Sequence, residues 1–157
     1  MARYRIVPVW LVTGVLLATP WSVEAQPSPD GSLATATSIN CSFSLIAVGN
    51  WGDEAPEAEV KPVNLVLEFE AVNADEGTAQ LASSFGVYDI IVRYAEGYLH
   101  FIQSFLDGPL YVTTVLEKET SDGALKAMHS RHEHTDFALT GFTSSPEQYY
   151  GQCEVAD

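Results

Sequence analysis

Two cysteines, Cys41 and Cys153, stand at opposite ends of an otherwise unbroken series of strand-like segments, and no other cysteine occurs in the chain. An even cysteine count in an exported protein predicts a disulfide. A disulfide needs Cα atoms within roughly 7 Å. If the two residues are joined, the first and last strands are neighbours, and whatever lies between them must return to its starting point.

What lies between them reads as antiparallel sheet. In "VNLVLEFEAV", residues 63–72, Val63, Leu65, Leu67, Phe69 and Ala71 share one face, while Asn64, Glu68 and Glu70 lie on the other. A period of two with a charged opposite face marks a half-buried antiparallel strand. "INCSFSLIAV", residues 39–48, places Cys41, Phe43, Leu45 and Ala47 together. "TAQLAS" at 78–83 is a shorter strand, and "VYDIIVRY" at 87–94 turns Tyr88, Ile90, Val92 and Tyr94 inward. Glu96-Gly97, Asp107-Gly108 and Asp122-Gly123 then separate segments at 98–105, 110–118 and 124–134, and 148–155 closes the series. Asp-Gly supplies the positive φ angles of tight hairpins. No helical pattern and no internal repeat follow the N-terminal leader.

The expected fold is therefore all-β: an up-and-down antiparallel barrel of about eight strands, calycin-like in architecture, with its first and last strands joined by Cys41–Cys153. Closure removes the edge strands. The alternative is a two-sheet β-sandwich with the same bridge. "GNW" at 49–51 resembles the lipocalin G-x-W motif, but it follows the first strand instead of opening it, and no family is assigned from it.

The first 25 residues read as a secretory signal peptide. Arg3 and Arg5 precede the apolar run 6–18, which is shorter than the ~20 residues of a membrane span, and "VEA" at 23–25 has the small residues of a cleavage site. The expected product is secreted or periplasmic, with no stable membrane insertion after cleavage. Residues 26–38, rich in Pro, Ser, Thr and Ala, read as a flexible leader, and 39–157 as the single β-barrel domain. "NCS" at 40–42 matches a glycosylation acceptor at Asn40.

Loss of Arg3, Arg5 and Glu24 with the signal turns seven basic and 21 acidic residues into five and 20, a net charge of −15. Such a surface repels phosphate backbones and anionic membranes, so nucleic acid is not an expected partner. A basic protein would be steered toward it.

The chemistry-bearing stretch is "HSRHEH", residues 129–134, which holds three of the four histidines. Strand parity puts His129 and Arg131 on the face of Leu125 and Ala127, at the inside or rim of a barrel, where they could contact a polar ligand. His132 and His134 share the other face at i, i+2, a spacing that suits two metal ligands. Asp107, brought near by the turn at 122–123, is a candidate third; His100 sits too far along its strand. Neither "RHEHT" nor any other segment carries a hydrolase motif, and the acids of "DEAPEAE", 53–59, lack calcium-loop spacing. The expectation is a non-catalytic binding protein without a cofactor, taking a small molecule in or at the barrel mouth. The alternatives are a protein-binding module, such as an inhibitor of a basic hydrolase presenting the long 49–62 loop, and a histidine-based metal binder.

Overall fold

A computed structural model of the chain describes residues 32–51, 55–84, 86–134 and 145–156. The expected signal peptide lies outside the described residues. Eight strands follow one short helix: α1 (Ser32–Thr35), β1 (Ser38–Trp51), β2 (Pro56–Asn73), β3 (Thr78–Ser83), β4 (Gly86–Ala95), β5 (Tyr98–Ser104), β6 (Leu110–Glu119), β7 (Leu125–His132) and β8 (Glu147–Ala156). Each strand pairs antiparallel with the next, and β8 returns to β1, so the sheet closes on itself in chain order. The fold is all-β and ring-shaped; the two-sheet sandwich does not form.

The seam is where the cysteines predicted it. Cys41 and Cys153 stand directly opposite each other across β1 and β8, with Cα atoms 4.0 Å apart and a disulfide between them. Such a bond fits an oxidising compartment outside the cytoplasm. Among the described residues no helix is long and apolar enough to cross a membrane.

Turn chemistry sets the three later hairpins. Glu96 and Gly97 both take positive φ, 49° and 79°, the paired left-handed geometry of a two-residue hairpin. At the two Asp-Gly sites only the glycine is left-handed. There Phe105 N donates to Pro109 O and Gly108 N to Phe105 O, and Thr120 and Ala124 repeat the pattern, which defines three-residue loops.

Two bulges alter the predicted face assignments. Between Phe43 and Leu45 the register shifts against both neighbours: Ser44 is an extra residue toward β8, while Val63 and Asn64 of β2 stand against it on the other side, and the inward face passes to Ile46 and Val48. Leu45, expected inside with Ala47, is 40% exposed. In β2 the shift falls between Glu70 and Asn73: Ala71 takes φ 47° and is exposed, and Val72 is buried in its place. A bulge of this kind flips every side chain beyond it.

Gly151 makes the first bulge possible. It lies opposite Phe43, and a Cβ built on it would stand 2.0 Å from the Ser42 carbonyl oxygen and 2.6 Å from the Phe43 Cα, backbone atoms that cannot move aside. Gly151→Ala is therefore expected to cost about 3 kcal/mol, the upper part of the overpacking range, read as a lowered urea midpoint at unchanged m-value.

Two segments expected to lack strand or helix structure are ordered. The first is the end of the 26–38 leader. There α1 carries Leu33, fully buried, into the core cluster that includes Val72, Ala79, Leu99 and Val115. Leu33 N donates to Glu117 Oε1 at 3.3 Å, Tyr94 Oη donates to Glu117 Oε2 at 3.3 Å, and Val72 N donates to Thr37 O at 2.9 Å. These contacts plug one end of the ring. The second is the 49–62 loop, which is mostly β-hairpin: β1 and β2 stay paired out to Trp51 and Pro56, beyond the last β1–β8 pair at Val48 and Glu147. The result is an arm that projects from the opposite end.

Candidate functional site

Because the strands are in simple register, the inward side chains form rows across the ring. One row joins Leu99, Val115, Ala127 and Gly151, then Phe43 of β1. The next joins Phe101, Thr113, His129, Tyr149 and Ile46. The outermost joins Gln103, Tyr111, Arg131, Glu147 and Val48. Polarity thus rises row by row toward the open end. Below, Phe69 and Phe101 stack with centroids 3.9 Å apart and rings 9° from parallel, which fills the middle of the interior.

The inward polar groups of β6, β7 and β8 engage one another. Arg131 Nε donates to His129 Nε2 at 3.3 Å. The proton of the neutral imidazole therefore sits on Nδ1, which donates to Thr113 Oγ1 at 2.8 Å. The Arg131 guanidinium lies between two aromatic faces, 5.2 Å from the centroids of Tyr111 and Tyr149. Its Nη1 is 3.8 Å from Glu147 Oε2, which also accepts a hydrogen bond from the Tyr149 hydroxyl. The Tyr111 hydroxyl donates to Glu133 Oε2 at 2.5 Å. No buried side-chain nitrogen or oxygen among the described residues is left without a partner.

This setting moves three titrations. Burial, and secondarily the Arg131 charge, lowers His129 to about 3. Burial, then the hydrogen bond to Glu133, pushes Tyr111 up to about 12, and burial with the Glu147 hydrogen bond pushes Tyr149 up as well. An unfolded histidine titrates near 6.5. Between about pH 6.5 and pH 3 the unfolded chain binds a proton that the folded chain refuses, so stability falls as pH falls through that window. The expected loss is on the order of a few kcal/mol by pH 3. His129→Gln, which keeps a donor and an acceptor, should flatten the wild-type slope between pH 6.5 and 4; equal slopes in the two proteins would contradict it.

A cavity of about 390 Å³ opens beside this cluster. Leu65, Leu67 and Leu81 form its apolar wall, and Gln103, Tyr111, His129 and Arg131 its polar one. Phe105 also lines it and meets Tyr111 edge-on at 4.9 Å. The arrangement can hold a small amphipathic molecule with its polar end toward Arg131.

His129 and Arg131, singled out from the sequence, thus lie together on the cavity wall. His132, His134 and Asp107 do not form a ligand set: among the described residues no three His, Cys, Asp or Glu side chains converge on one point. The His134 ring lies edge-on to Trp51, 5.1 Å between centroids, and Asp107 is exposed in the β5–β6 turn. His100 faces outward, with Nδ1 2.9 Å from Thr114 Oγ1. Glu147 was missed by the sequence reading, which began the last strand at 148. Counting back by twos from Cys153 through Gly151 and Tyr149 reaches Glu147 on the inward face, so parity could have found it. The same alternation already turns Leu65 and Leu67 of β2 to the buried face, but their meeting with Leu81 of β3 in one cavity carries no local signal.

No family model matches the chain, and no curated protein or solved structure matches it either.

Proposed function

We propose that this is a non-catalytic binding protein, calycin-like in architecture, that takes a small amphipathic molecule at the mouth of its barrel outside the cytoplasm. The observation that carries the reading is the cavity with one apolar wall, Leu65, Leu67 and Leu81, facing one polar wall, Gln103, Tyr111 and Arg131. Its volume is in the range of small-molecule sites, which combine mostly apolar walls with a few placed polar groups. Binding is favoured over catalysis by the state of His129. A general base works best with a pKa near the operating pH. His129 is held at about 3, and both of its ring nitrogens are already engaged.

The test uses N-phenylnaphthylamine, an uncharged dye that brightens in apolar surroundings. Saturable binding with micromolar affinity is expected for the wild type. Leu65→Trp, which places a bulky ring in the cavity wall, should weaken it at least tenfold while the far-UV spectrum stays unchanged. Dye binding that is indifferent to Leu65→Trp would contradict the reading.

A second reading, a module that captures a basic protein, rests on the arm formed by β1 and β2, with Trp51 65% exposed and Glu57 and Glu59 beside it. Association through this arm would weaken as salt rises, because exposed charges are screened over about 8 Å at physiological ionic strength.

A further inference from the structure

The proposed cavity also constrains the charge of its occupant, an inference that rests on the binding reading above. Among the described residues Arg131 is the one cation on the cavity wall, and Glu147 lies 3.8 Å from it, with its carboxylate largely buried. The pair is balanced. An incoming carboxylate would meet Arg131 only in competition with Glu147, and would also approach a chain of net charge −14. An incoming ammonium would meet the guanidinium, and among the described residues no carboxylate lines the wall to pair with it.

What the polar wall does offer is donors. Arg131 has five N–H groups. Only Nε is used in a hydrogen bond among the described residues; the Nη1 contact with Glu147 is too long for one. The Gln103 amide, also on this wall, makes no hydrogen bond among the described residues. Donors that make no hydrogen bond within the described residues, set beside a leucine wall, suit an oxygen acceptor carried by an apolar body.

We infer that the ligand is an uncharged amphipathic molecule bearing a carbonyl-type oxygen, which accepts hydrogen bonds from Arg131 and Gln103 while its hydrocarbon part lies on Leu65, Leu67 and Leu81. Glu147 is the residue that sets this selectivity, because it cancels the charge an anion would otherwise seek.

Three probes of matched length test this by displacing N-phenylnaphthylamine at neutral pH: methyl octyl ketone, nonanoate and nonylamine. The ketone is expected to compete at least tenfold better than either ion. Glu147→Gln keeps an acceptor for Tyr149 but frees the Arg131 charge, and it should improve nonanoate at least tenfold, reversing the order. Gln103→Leu should weaken the ketone severalfold and leave folding intact. A wild type that prefers nonanoate or nonylamine, or a preference unmoved by Glu147→Gln, overturns the inference while the binding cavity stands. If the dye binds nowhere and no probe perturbs the protein, both fall.

Discussion

Replacing both cysteines, Cys41→Ser together with Cys153→Ser, is expected to remove about 4 kcal/mol of stability and to lower the melting temperature by roughly 15 °C. The bond spans 112 residues of sequence. In the chain-entropy model a loop of that order restrains the unfolded state by about 4.7 kcal/mol, an upper bound because unfolded chains are already partly compact. Since the two Cα atoms face each other within the β1–β8 ladder, the serine variant retains the backbone pairing around them. It should therefore fold to the same ring, with its far-UV spectrum preserved and the difference appearing in denaturant midpoints. A loss below 1 kcal/mol would mean that the seam is held by its ladder and core alone.

Arg131→Met is expected to cost about 3 kcal/mol. Removing the guanidinium leaves the Glu147 carboxylate, whose side chain is only 10% exposed, without its counter-charge, and takes the donor from His129 Nε2. Breaking one partner of a buried pair costs about 3–5 kcal/mol, and the partial exposure of Arg131 places this pair at the lower end. The double variant Arg131→Met/Glu147→Gln should recover at least half of the loss, because the amide carries no charge and still accepts from Tyr149. A double-mutant cycle by urea denaturation reads the coupling directly. A cycle that closes with no coupling would show that the pair is screened by solvent and that the two tyrosine rings, not Glu147, hold the guanidinium.

The fold was legible wherever a local signal was sufficient. Alternation in 63–70 and 87–94 placed β2 and β4, the glycines at 97, 108 and 123 marked the hairpins, and the two cysteines closed the ring. Parity from Leu125 and Ala127 also carries His129 and Arg131 to the interior. What escaped depends on partners far away in sequence. The inward face of β1 changes at Ser44 because β1 approaches Gly151, more than a hundred residues later, closely enough that no Cβ fits. Ala71 leaves the core by taking a left-handed conformation that alternation does not encode. Leu33 sits in a polar, Ala-rich stretch, and its value as a plug exists only once a ring end is there to fill. The cavity has the same character: Leu65 and Leu81 come from β2 and β3, Arg131 from β7, and only closure sets them face to face.

On the proposed function, the ligand enters the mouth of the ring and lies between those walls. Methyl-resolved NMR spectra recorded with increasing methyl octyl ketone test it most directly. Saturable shifts are expected in the methyl signals of Leu65, Leu67 and Leu81, together with a shift of the Arg131 side-chain NH signals, while the outward Val60, Val87 and Ile91 stay still. Shifts confined to those outer valines and Ile91, or no saturable shift at any methyl, would contradict it.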